Sequence, residues 1–320
     1  MFVKKHKMCI IDEKEKIMFD ILIIGGGPAG VSAGIYAKRA GRNVAIIEKV
    51  AIGGQLNLIG EIENYAGFKS IEGTALANEF YDHTQKFEIP IIYDEIIETS
   101  LSGEVKKLKG KKGEYEARSV ILALGSNCRE LSIEGESRLK GSGVSYCAVC
   151  DGRFFKGRDV AVVGSGDSAV SDALYLSSIC SKVYVLTKST LKLHNYTLEE
   201  VESKENVTVL KGAISKRIEG KFAVDKLIYE SDGEEKSLDV SAVFVAIGRK
   251  PETSFLGGQI DENEVGYIKV DSLMQTNIEG VYACGDIVIS PIKQVSIAVG
   301  QGAIAGNEAS KFVLRQIHSK

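Results

Sequence analysis

The 320-residue sequence has few prolines, no excess of basic charge and no long apolar run. Its 4 prolines stand against 34 glycines, a composition that indicates turns rather than disorder. The formal net charge of -3 provides no basic field to hold a phosphate backbone, so we expect no nucleic-acid partner. No stretch approaches the roughly 20 apolar residues that span a bilayer, and residues 1–18 lack the apolar centre of a signal peptide. These absences favour a cytoplasmic protein that does not bind a membrane.

The length and the cysteines narrow the class further. A chain of this length is too long for one comfortable core and is typical of two domains. Without a secretion signal, the even number of 6 cysteines does not argue for a disulfide framework. Four cysteines stand alone, and each is expected to be a small buried hydrophobe or an idle thiol: Cys9, Cys128, Cys180 and Cys284.

The first motif is an apolar run that leads directly into a glycine-rich turn. Asp20–Ile24 has the β-branched residues and the length of a buried parallel strand. A helix is predicted over Val31–Ala40, and a second strand over Asn43–Ile47 ends next to Glu48. The turn itself matches the G-x-G-x-x-G fingerprint and reads Gly25-Gly26-Gly27-Pro28-Ala29-Gly30.

Each part of this unit has a physical role in dinucleotide binding. Gly25 permits the tight turn, and Gly27 lets backbone N–H groups approach a pyrophosphate at a helix N-terminus. Glu48 lies about 20 residues beyond the glycines, where an acidic side chain accepts hydrogen bonds from an adenosine ribose. The sequence therefore predicts a nucleotide-binding βαβ unit, and the alternative is a glycine-rich turn without a ligand.

A second unit of the same kind follows later in the chain. Asp159–Val163 reads as a strand, Val170–Ile179 as a helix and Lys182–Leu186 as a second strand. The turn between the first two has alanine in the third small position and reads Gly164-Ser165-Gly166-Asp167-Ser168-Ala169. The chain thus carries two Rossmann units and is predicted to be an α/β protein.

The segment after the second unit's last strand decides which nucleotide it takes. An NAD site places an acidic residue near position 187, and an NADP site places arginines there for the 2′-phosphate. This chain has neither, and instead offers Lys188, Lys192 and His194 as possible phosphate contacts. Two interpretations stay open: a working NAD(P)H site that uses these residues, or a retained fold that binds pyridine nucleotide poorly.

Cys147 and Cys150 lie between the two glycine motifs, two residues apart. Such a pair can close a small disulfide ring, and at a helix N-terminus the pKa of the first thiol falls towards the reactive thiolate. Zinc would need a second ligand pair, and no other C-x-x-C or H-x-x-H occurs, so no metal is expected. Asp151 directly follows and could handle the proton of thiol and disulfide exchange, or it could be a turn residue beside Gly152.

Taken together, these motifs closely resemble the low-molecular-weight thioredoxin reductases. The likeness runs from about Phe19 to the last helix and also includes Gly54-Gln55-Leu56 and Ala283-Cys284-Gly285-Asp286. A Cys-x-x-Cys-Asp inside the second nucleotide-binding domain separates this family from glutathione reductase and lipoamide dehydrogenase. The resemblance implies two Rossmann-like domains of three-layer ββα architecture, with the second inserted in the first.

The resemblance also assigns the domains. Residues 19–126 and 250–320 would form a discontinuous FAD-binding domain, and residues 127–249 an NAD(P)H-binding-like domain that carries the cysteine pair. Residues 1–18 would be an N-terminal extension of unassigned role. The crossings are expected near Gly125 and near Gly248–Pro251, where a strand meets a small-residue turn. Relatives rotate one domain against the other at these crossings.

The same resemblance implies most of the site. Residues that would bind FAD are Gly25, Gly27, Pro28, Ala29, Gly30, Glu48, Gly54, Gln55, Asn64, Gly285, Asp286, Gln294 and Val295. Residues that would contact NAD(P)H are Gly164, Gly166, Asp167, Ser168, Ala169, Lys188 and Lys192. Cys150 would take electrons from the flavin, Cys147 would attack the partner's disulfide, and Asp151 would protonate a leaving thiolate. A helix N-terminus aimed at the flavin would stabilise its reduced, negatively charged form.

The sequence departs from the family where the family carries a His-Arg-Arg run, because this chain reads Thr187-Lys188-Ser189 there. The first hypothesis is a homodimeric reductase that passes electrons from NADPH through FAD and the dithiol to thioredoxin or a similar small protein. The second keeps flavin and dithiol but takes electrons from NADH, ferredoxin or a deazaflavin. Further alternatives are a redox sensor without turnover and a reductase component that serves a peroxidase.

Overall fold

A computed structural model describes residues 18–191 and 198–318. The predicted contacts Lys192 and His194, the lone Cys9 and the extension up to residue 17 lie outside the described residues. Among the described residues, no helix has both the length and the apolar character needed to cross a membrane.

The strands of the described residues are, in chain order, β1 (Met18–Ile24), β2 (Val44–Glu48), β3 (Glu61–Ile62), β4 (Ile71–Glu72), β5 (Ile91–Tyr93), β6 (Ile96–Ser100), β7 (Lys106–Gly110), β8 (Glu114–Leu122), β9 (Asn127–Cys128), β10 (Val144–Ser145), β11 (Asp159–Val163), β12 (Lys182–Thr187), β13 (Val207–Lys211), β14 (Ile214–Glu219), β15 (Lys226–Ser231), β16 (Glu234–Asp239), β17 (Ala242–Val245), β18 (Arg249–Lys250) and β19 (Val281–Ala283).

The α-helices are α1 (Pro28–Arg39), α2 (Gly73–Lys86), α3 (Ala148–Asp151), α4 (Asp167–Ser177), α5 (Leu198–Glu202) and α6 (Val295–His318). Short 3-10 turns cover Gly54–Leu58, Gly152–Phe155, Ser254–Leu256 and Gly285–Ile287. The described residues divide into two compact units: one comprises those up to Ser126 and those from Pro251 onward, and the other comprises those of Asn127–Lys250.

The first unit is layered around a central sheet that is covered on both faces, and its strand β1 is accordingly apolar on both faces. Its central sheet has the order β5-β2-β1-β8-β7-β6, and β19 also pairs with β8. Ile21 and Ile23 of β1 pack in the core that includes residues of α1, α2 and α6. Leu22 and Ile24 point to the opposite core, which includes Leu108 of β7. A strand buried on both faces reads as a continuous apolar run, as the sequence pattern predicted.

The second unit repeats this plan. Its sheet has the order β10-β17-β11-β12-β13 with parallel pairing throughout, and β14-β15-β16 form a separate antiparallel sheet. Val160 and Val162 of β11 pack with residues of α4, while Ala161 and Val163 pack with residues of the β14-β15-β16 sheet. The predicted α/β class with two Rossmann-like units is confirmed.

Both predicted motif helices begin three residues earlier than the sequence pattern indicated. The helix expected from Val31 begins at Pro28, and the helix expected from Val170 begins at Asp167. Proline is well suited to the first helical position, since its missing N–H would have no partner there. Each glycine motif therefore contributes its second half to the first turn of the helix.

Candidate active site

The turn between β1 and α1 combines a crowded side with an open side. Gly25 adopts φ +106°, and a Cβ there would overlap the carbonyl oxygen of Ala123. A Cβ at Gly30 would overlap the carbonyl oxygen of Gly25. In contrast, a Cβ at Gly27 would meet nothing within 4 Å, and its backbone is extended, with φ −73° and ψ −177°. Gly25 and Gly30 thus serve chain packing, whereas Gly27 leaves the helix N-terminus open to a ligand, which fits an FAD pyrophosphate.

Glu48 is held against this turn by two backbone N–H groups. It ends β2, is buried, and accepts hydrogen bonds from Gly26 N at 2.7 Å and Val50 N at 2.8 Å. Each carboxylate oxygen can accept more than one hydrogen bond, so the group retains capacity for a ribose hydroxyl. The predicted acidic residue therefore lies against the first glycine turn.

Two further predicted residues come from the 3-10 turn Gly54–Leu58. A Cβ at Gly54 would lie 3.3 Å from the Cα of Gly27, which shows that the two turns are adjacent. The side chain of Gln55 donates from Nε2 to the carbonyl oxygen of Ser126 at 2.8 Å. Gly54 therefore borders the open side of the first glycine turn.

Asn64 and Gln294 meet although 230 positions separate them. Asn64 Nδ2 donates to Gln294 Oε1 at 3.0 Å, and Ala298 N donates to Gln294 O at 3.0 Å at the start of α6. Val295 begins this helix, as predicted. The amide pair thus ties the loop between β3 and β4 to the N-terminus of α6.

Gly285 and Asp286 lie beside the start of α1. A Cβ at Gly285 would be 2.8 Å from the Cβ of Ala29, and Gly285 N donates to Gln301 Oε1 at 2.9 Å. Lys293 Nζ donates to the carbonyl oxygen of Asp286 at 3.1 Å. Gln301 and Lys293 were not among the residues predicted from the sequence. Gln301 lies seven residues after Gln294, two helical turns along the same face of α6, and this periodicity was a usable signal.

The second glycine turn is crowded at its first glycine in the same way as the first turn is. A Cβ at Gly164 would overlap the carbonyl oxygen of Ala246, and Gly164 N donates to Leu186 O at 3.0 Å. Gly166 precedes α4, Asp167 lies in its first turn, Ser168 is exposed and Ala169 is buried.

The end of β12 offers little to a 2′-phosphate. Thr187 is buried, and its hydroxyl donates to Ser189 O at 2.7 Å, which uses that side chain to form the turn. Lys188 is exposed, and residues 187–191 contain no arginine. A lysine acts as a point charge and lacks the planar, bidentate donor set that an arginine presents to phosphate.

Cys147 and Cys150 form a disulfide, with their Cα atoms 5.3 Å apart. Strand β10 leads into the pair, and Cys147 occupies the N-cap position of α3, where its Sγ accepts from Cys150 N at 3.2 Å. The predicted position of the pair at the start of a helix is therefore observed, although that helix spans only four residues.

Asp151 lies directly beside the pair and does not behave as a surface turn residue. Its Oδ2 accepts a hydrogen bond from Ser145 Oγ at 2.6 Å. Burial raises the pKa of Asp151, and the hydrogen bond from Ser145 opposes that rise. A carboxyl group whose neutral form is favoured by burial can carry a proton for exchange chemistry.

A separate contact anchors the residue before Cys147. The hydroxyl of Tyr146 donates to Glu136 Oε1 at 2.9 Å, and Lys140 Nζ lies 4.9 Å from the centroid of the Tyr146 ring. Glu136 is buried and also accepts from the backbone of Leu131 and Ser132. Burial raises the pKa of Tyr146 well above its usual value, so this side chain stays a neutral donor.

A duplicated nucleotide-binding fold with a disulfide inside the second unit defines a class of flavin-dependent disulfide oxidoreductases. The chain belongs to the pyridine nucleotide-disulphide oxidoreductase family, whose model matches residues 19–302. The predicted family membership is confirmed, and the chain is an oxidoreductase with FAD as its cofactor.

Relatives with established names are thioredoxin reductases. The thioredoxin reductase of Bacillus subtilis is 37% identical over 303 residues, which cover 93% of this chain and 96% of the relative. The crystal structure of the Streptococcus pyogenes thioredoxin reductase superposes with a TM-score of 0.88 at 36% identity, covering 94% of this chain and 100% of that one. A ferredoxin-flavin thioredoxin reductase from Clostridium acetobutylicum superposes with a TM-score of 0.52 at 32% identity, covering 95% and 99%.

Proposed function

We propose that this chain is a thioredoxin-disulfide reductase that passes two electrons from a reduced donor, through FAD and the Cys147–Cys150 pair, to thioredoxin or a similar small protein. The observation that carries the proposal is the disulfide at the start of α3, with Asp151 as the residue after Cys150 in the same helix and its carboxylate hydrogen-bonded to Ser145. The names of the relatives support thioredoxin as the protein substrate.

FAD would be held by the residues around the Gly27 turn. The N-terminus of α1 would bind the pyrophosphate, Glu48 the ribose, and Gly285 and Asp286 the ribityl chain, while Gln55, Asn64 and Gln294 would border the ring. When bound, FAD would supply the two-electron redox chemistry between the donor and the Cys147–Cys150 disulfide. The N-terminus of α6 would favour the negative charge of reduced flavin.

The cysteines would act in sequence. Reduction breaks the Cys147–Cys150 bond and yields a dithiol. The Cys147 thiolate attacks the partner's disulfide and forms a mixed disulfide, which releases one partner thiolate. Cys150 then attacks Cys147, re-forms the internal disulfide and releases the second partner thiolate. Two electrons leave the dithiol, and Asp151 supplies a proton to a departing sulfur.

The assay is a single turnover without a nucleotide. Enzyme reduced by one equivalent of dithionite is mixed anaerobically with oxidised bacterial thioredoxin, and thioredoxin thiols are counted after alkylation. We expect two thiols per enzyme, and none from the Cys147→Ser and Cys150→Ser variants beyond a trapped adduct. A wild-type enzyme that releases no thiols contradicts the proposal and leaves the redox-sensor alternative.

A second candidate differs only in the electron donor. The exposed Lys188 stands where an arginine cluster would bind the 2′-phosphate of NADPH, and one structural neighbour is titled a ferredoxin-flavin thioredoxin reductase. Both observations favour a donor other than NADPH, while the close likeness to the Bacillus and Streptococcus enzymes favours the family's nicotinamide donor.

Flavin absorbance separates the two candidates. Oxidised enzyme is mixed anaerobically with NADPH, NADH or reduced ferredoxin in a stopped-flow instrument, and dithionite serves as the control reductant. Rapid bleaching by NADPH, weakened in Lys188→Ala but not in the exposed control Lys204→Ala, supports the nicotinamide donor. Bleaching by NADH or by reduced ferredoxin, with none by NADPH, supports the second candidate.

Two properties stay predictions by family likeness. We propose a homodimer, which sedimentation equilibrium tests, and a cytoplasmic location, which fractionation tests.

A further inference from the structure

Ser145 makes three polar contacts next to the cysteine pair. It is the last residue of β10, is buried, and lies two positions before Cys147. Its Oγ accepts from Cys147 N at 3.1 Å, donates to Asp151 Oδ2 at 2.6 Å, and lies 3.4 Å from the carbonyl oxygen of Cys147. The side chain therefore bridges the first cysteine and the acid.

A hydroxyl group has one proton and two acceptor sites, so it cannot donate to both oxygens at once. The Cys147 N–H occupies one acceptor site and fixes the position of Oγ. When Asp151 is ionised, the Ser145 proton points to Oδ2. When the acid carries its proton on Oδ1, Oδ2 remains an oxygen that accepts the Ser145 proton, in a weaker hydrogen bond than the charged carboxylate accepts. The same hydroxyl thus has a partner in either state of the acid.

We infer that Ser145 is a positioning residue for proton transfer by Asp151: it holds Oδ2 and leaves Oδ1 as the atom that exchanges a proton with a departing sulfur. The inference rests on the proposed function. In each exchange, an S–S bond breaks, the departing sulfur keeps the electron pair, and Oδ1–H of Asp151 supplies the proton that makes it a thiol. The carboxylate then regains a proton from solvent.

Other titratable groups lie on the elements packed against α3. Helix α4 carries Asp167, Asp172 and Tyr175, and the adjoining 3-10 turn carries Arg153. The causes of the Asp151 shift are burial first and the Ser145 bond second. Burial raises the pKa of Asp172 to about 7, so its titration must be separated from that of Asp151. An Asp172→Asn background removes this second group.

The test measures the pH dependence of single-turnover thioredoxin reduction by dithionite-reduced enzyme in the Asp172→Asn background. The part of the pH–rate profile that disappears in Asp151→Asn, here called the Asp151 limb, reports the titration of Asp151. Removing a hydrogen bond to a charged group raises the pKa of the acid, so we expect Ser145→Ala to move this limb upward by about one pH unit. Ser145→Thr should restore the limb, and Ser181→Ala, which removes a hydroxyl bonded only to a backbone carbonyl in the same unit, should leave it unmoved.

A second readout does not depend on turnover. The infrared band of the protonated Asp151 carboxyl, identified by its loss in Asp151→Asn, is titrated in wild type, in Ser145→Thr and in Ser145→Val. Valine has the shape of threonine without its hydroxyl group. The comparison of Ser145→Thr with Ser145→Val also tests the inference if Ser145→Ala does not fold. A higher midpoint in Val than in Thr supports the inference. Equal midpoints in Ser145→Val and Ser145→Thr overturn it. A rate loss in Ser145→Ala that is the same at every pH, and that Ser145→Thr shares, also overturns it. A wild-type enzyme that fails to reduce thioredoxin contradicts only the proposed function, since the infrared titration still decides the role of Ser145.

Discussion

Gly27→Ala is expected to weaken FAD binding without weakening the fold. The added methyl group would meet no protein atom within 4 Å, and the extended backbone at this position is open to any residue. In the protein without flavin, the change should be neutral or should stabilise by about 0.4–1 kcal/mol, since alanine restricts the unfolded chain. The methyl group would, however, occupy the space from which a pyrophosphate approaches the N-terminus of α1.

The size of the effect follows from the cost of an extra methyl group in a packed contact. Overpacking costs about 1–3 kcal/mol, which corresponds to a Kd for FAD roughly 5- to 150-fold weaker. Gly30→Ala provides the contrast, because its methyl group would overlap the carbonyl oxygen of Gly25, and the backbone would have to move. This variant should lose about 1–3 kcal/mol of stability even without flavin.

The assay uses deflavinated protein. FAD is titrated by fluorescence quenching, and the free energy of unfolding is measured by urea denaturation with circular dichroism. Gly300→Ala is the matched control, since its methyl group also meets nothing within 4 Å and lies in helix α6. It should bind FAD as wild type does. If Gly27→Ala also binds FAD with wild-type affinity, the pyrophosphate does not lie on the open side of Gly27 and the reasoning fails.

Three further outcomes are expected. Asp172→Asn should raise the free energy of unfolding near pH 8 by up to about 4 kcal/mol, because the buried carboxyl group, whose pKa is raised to about 7, must ionise in the folded wild type. This gain in the free energy of unfolding should shrink as the pH falls from about 7 to 4, because in that range the carboxyl group is ionised in the unfolded state but protonated in the folded state. A gain that does not change with pH would contradict this coupling of proton binding to folding. Cys150→Ser should accumulate a mixed disulfide between Cys147 and thioredoxin in mass spectra, whereas accumulation in Cys147→Ser instead would reverse the assigned roles. Gly164→Ala should destabilise the second unit by about 1–3 kcal/mol, since its methyl group would overlap the carbonyl oxygen of Ala246, and unchanged hydrogen exchange in β11 would contradict this.

Local patterns were sufficient for the parallel units and the cysteine pair. The strand at Asp159–Val163 was predicted with the observed bounds, and β1 and β2 differ from prediction by two residues or fewer at each end. These strands are buried on both faces, so their apolar runs are continuous and easy to recognise. Helix starts were less accurate, because the glycine motifs occupy the first turns of α1 and α4.

The sequence by itself determined the two glycine turns, the acidic residue after the second strand and the spacing of the redox cysteines, because each depends on neighbours close in the chain. Tertiary structure alone decided that Asn64 meets Gln294, that Gln301 accepts from Gly285, and that Ser145 donates to Asp151. Such contacts follow from how whole elements pack, and a buried polar group bonds to whichever partner that packing supplies. No local pattern of residue types specifies that partner.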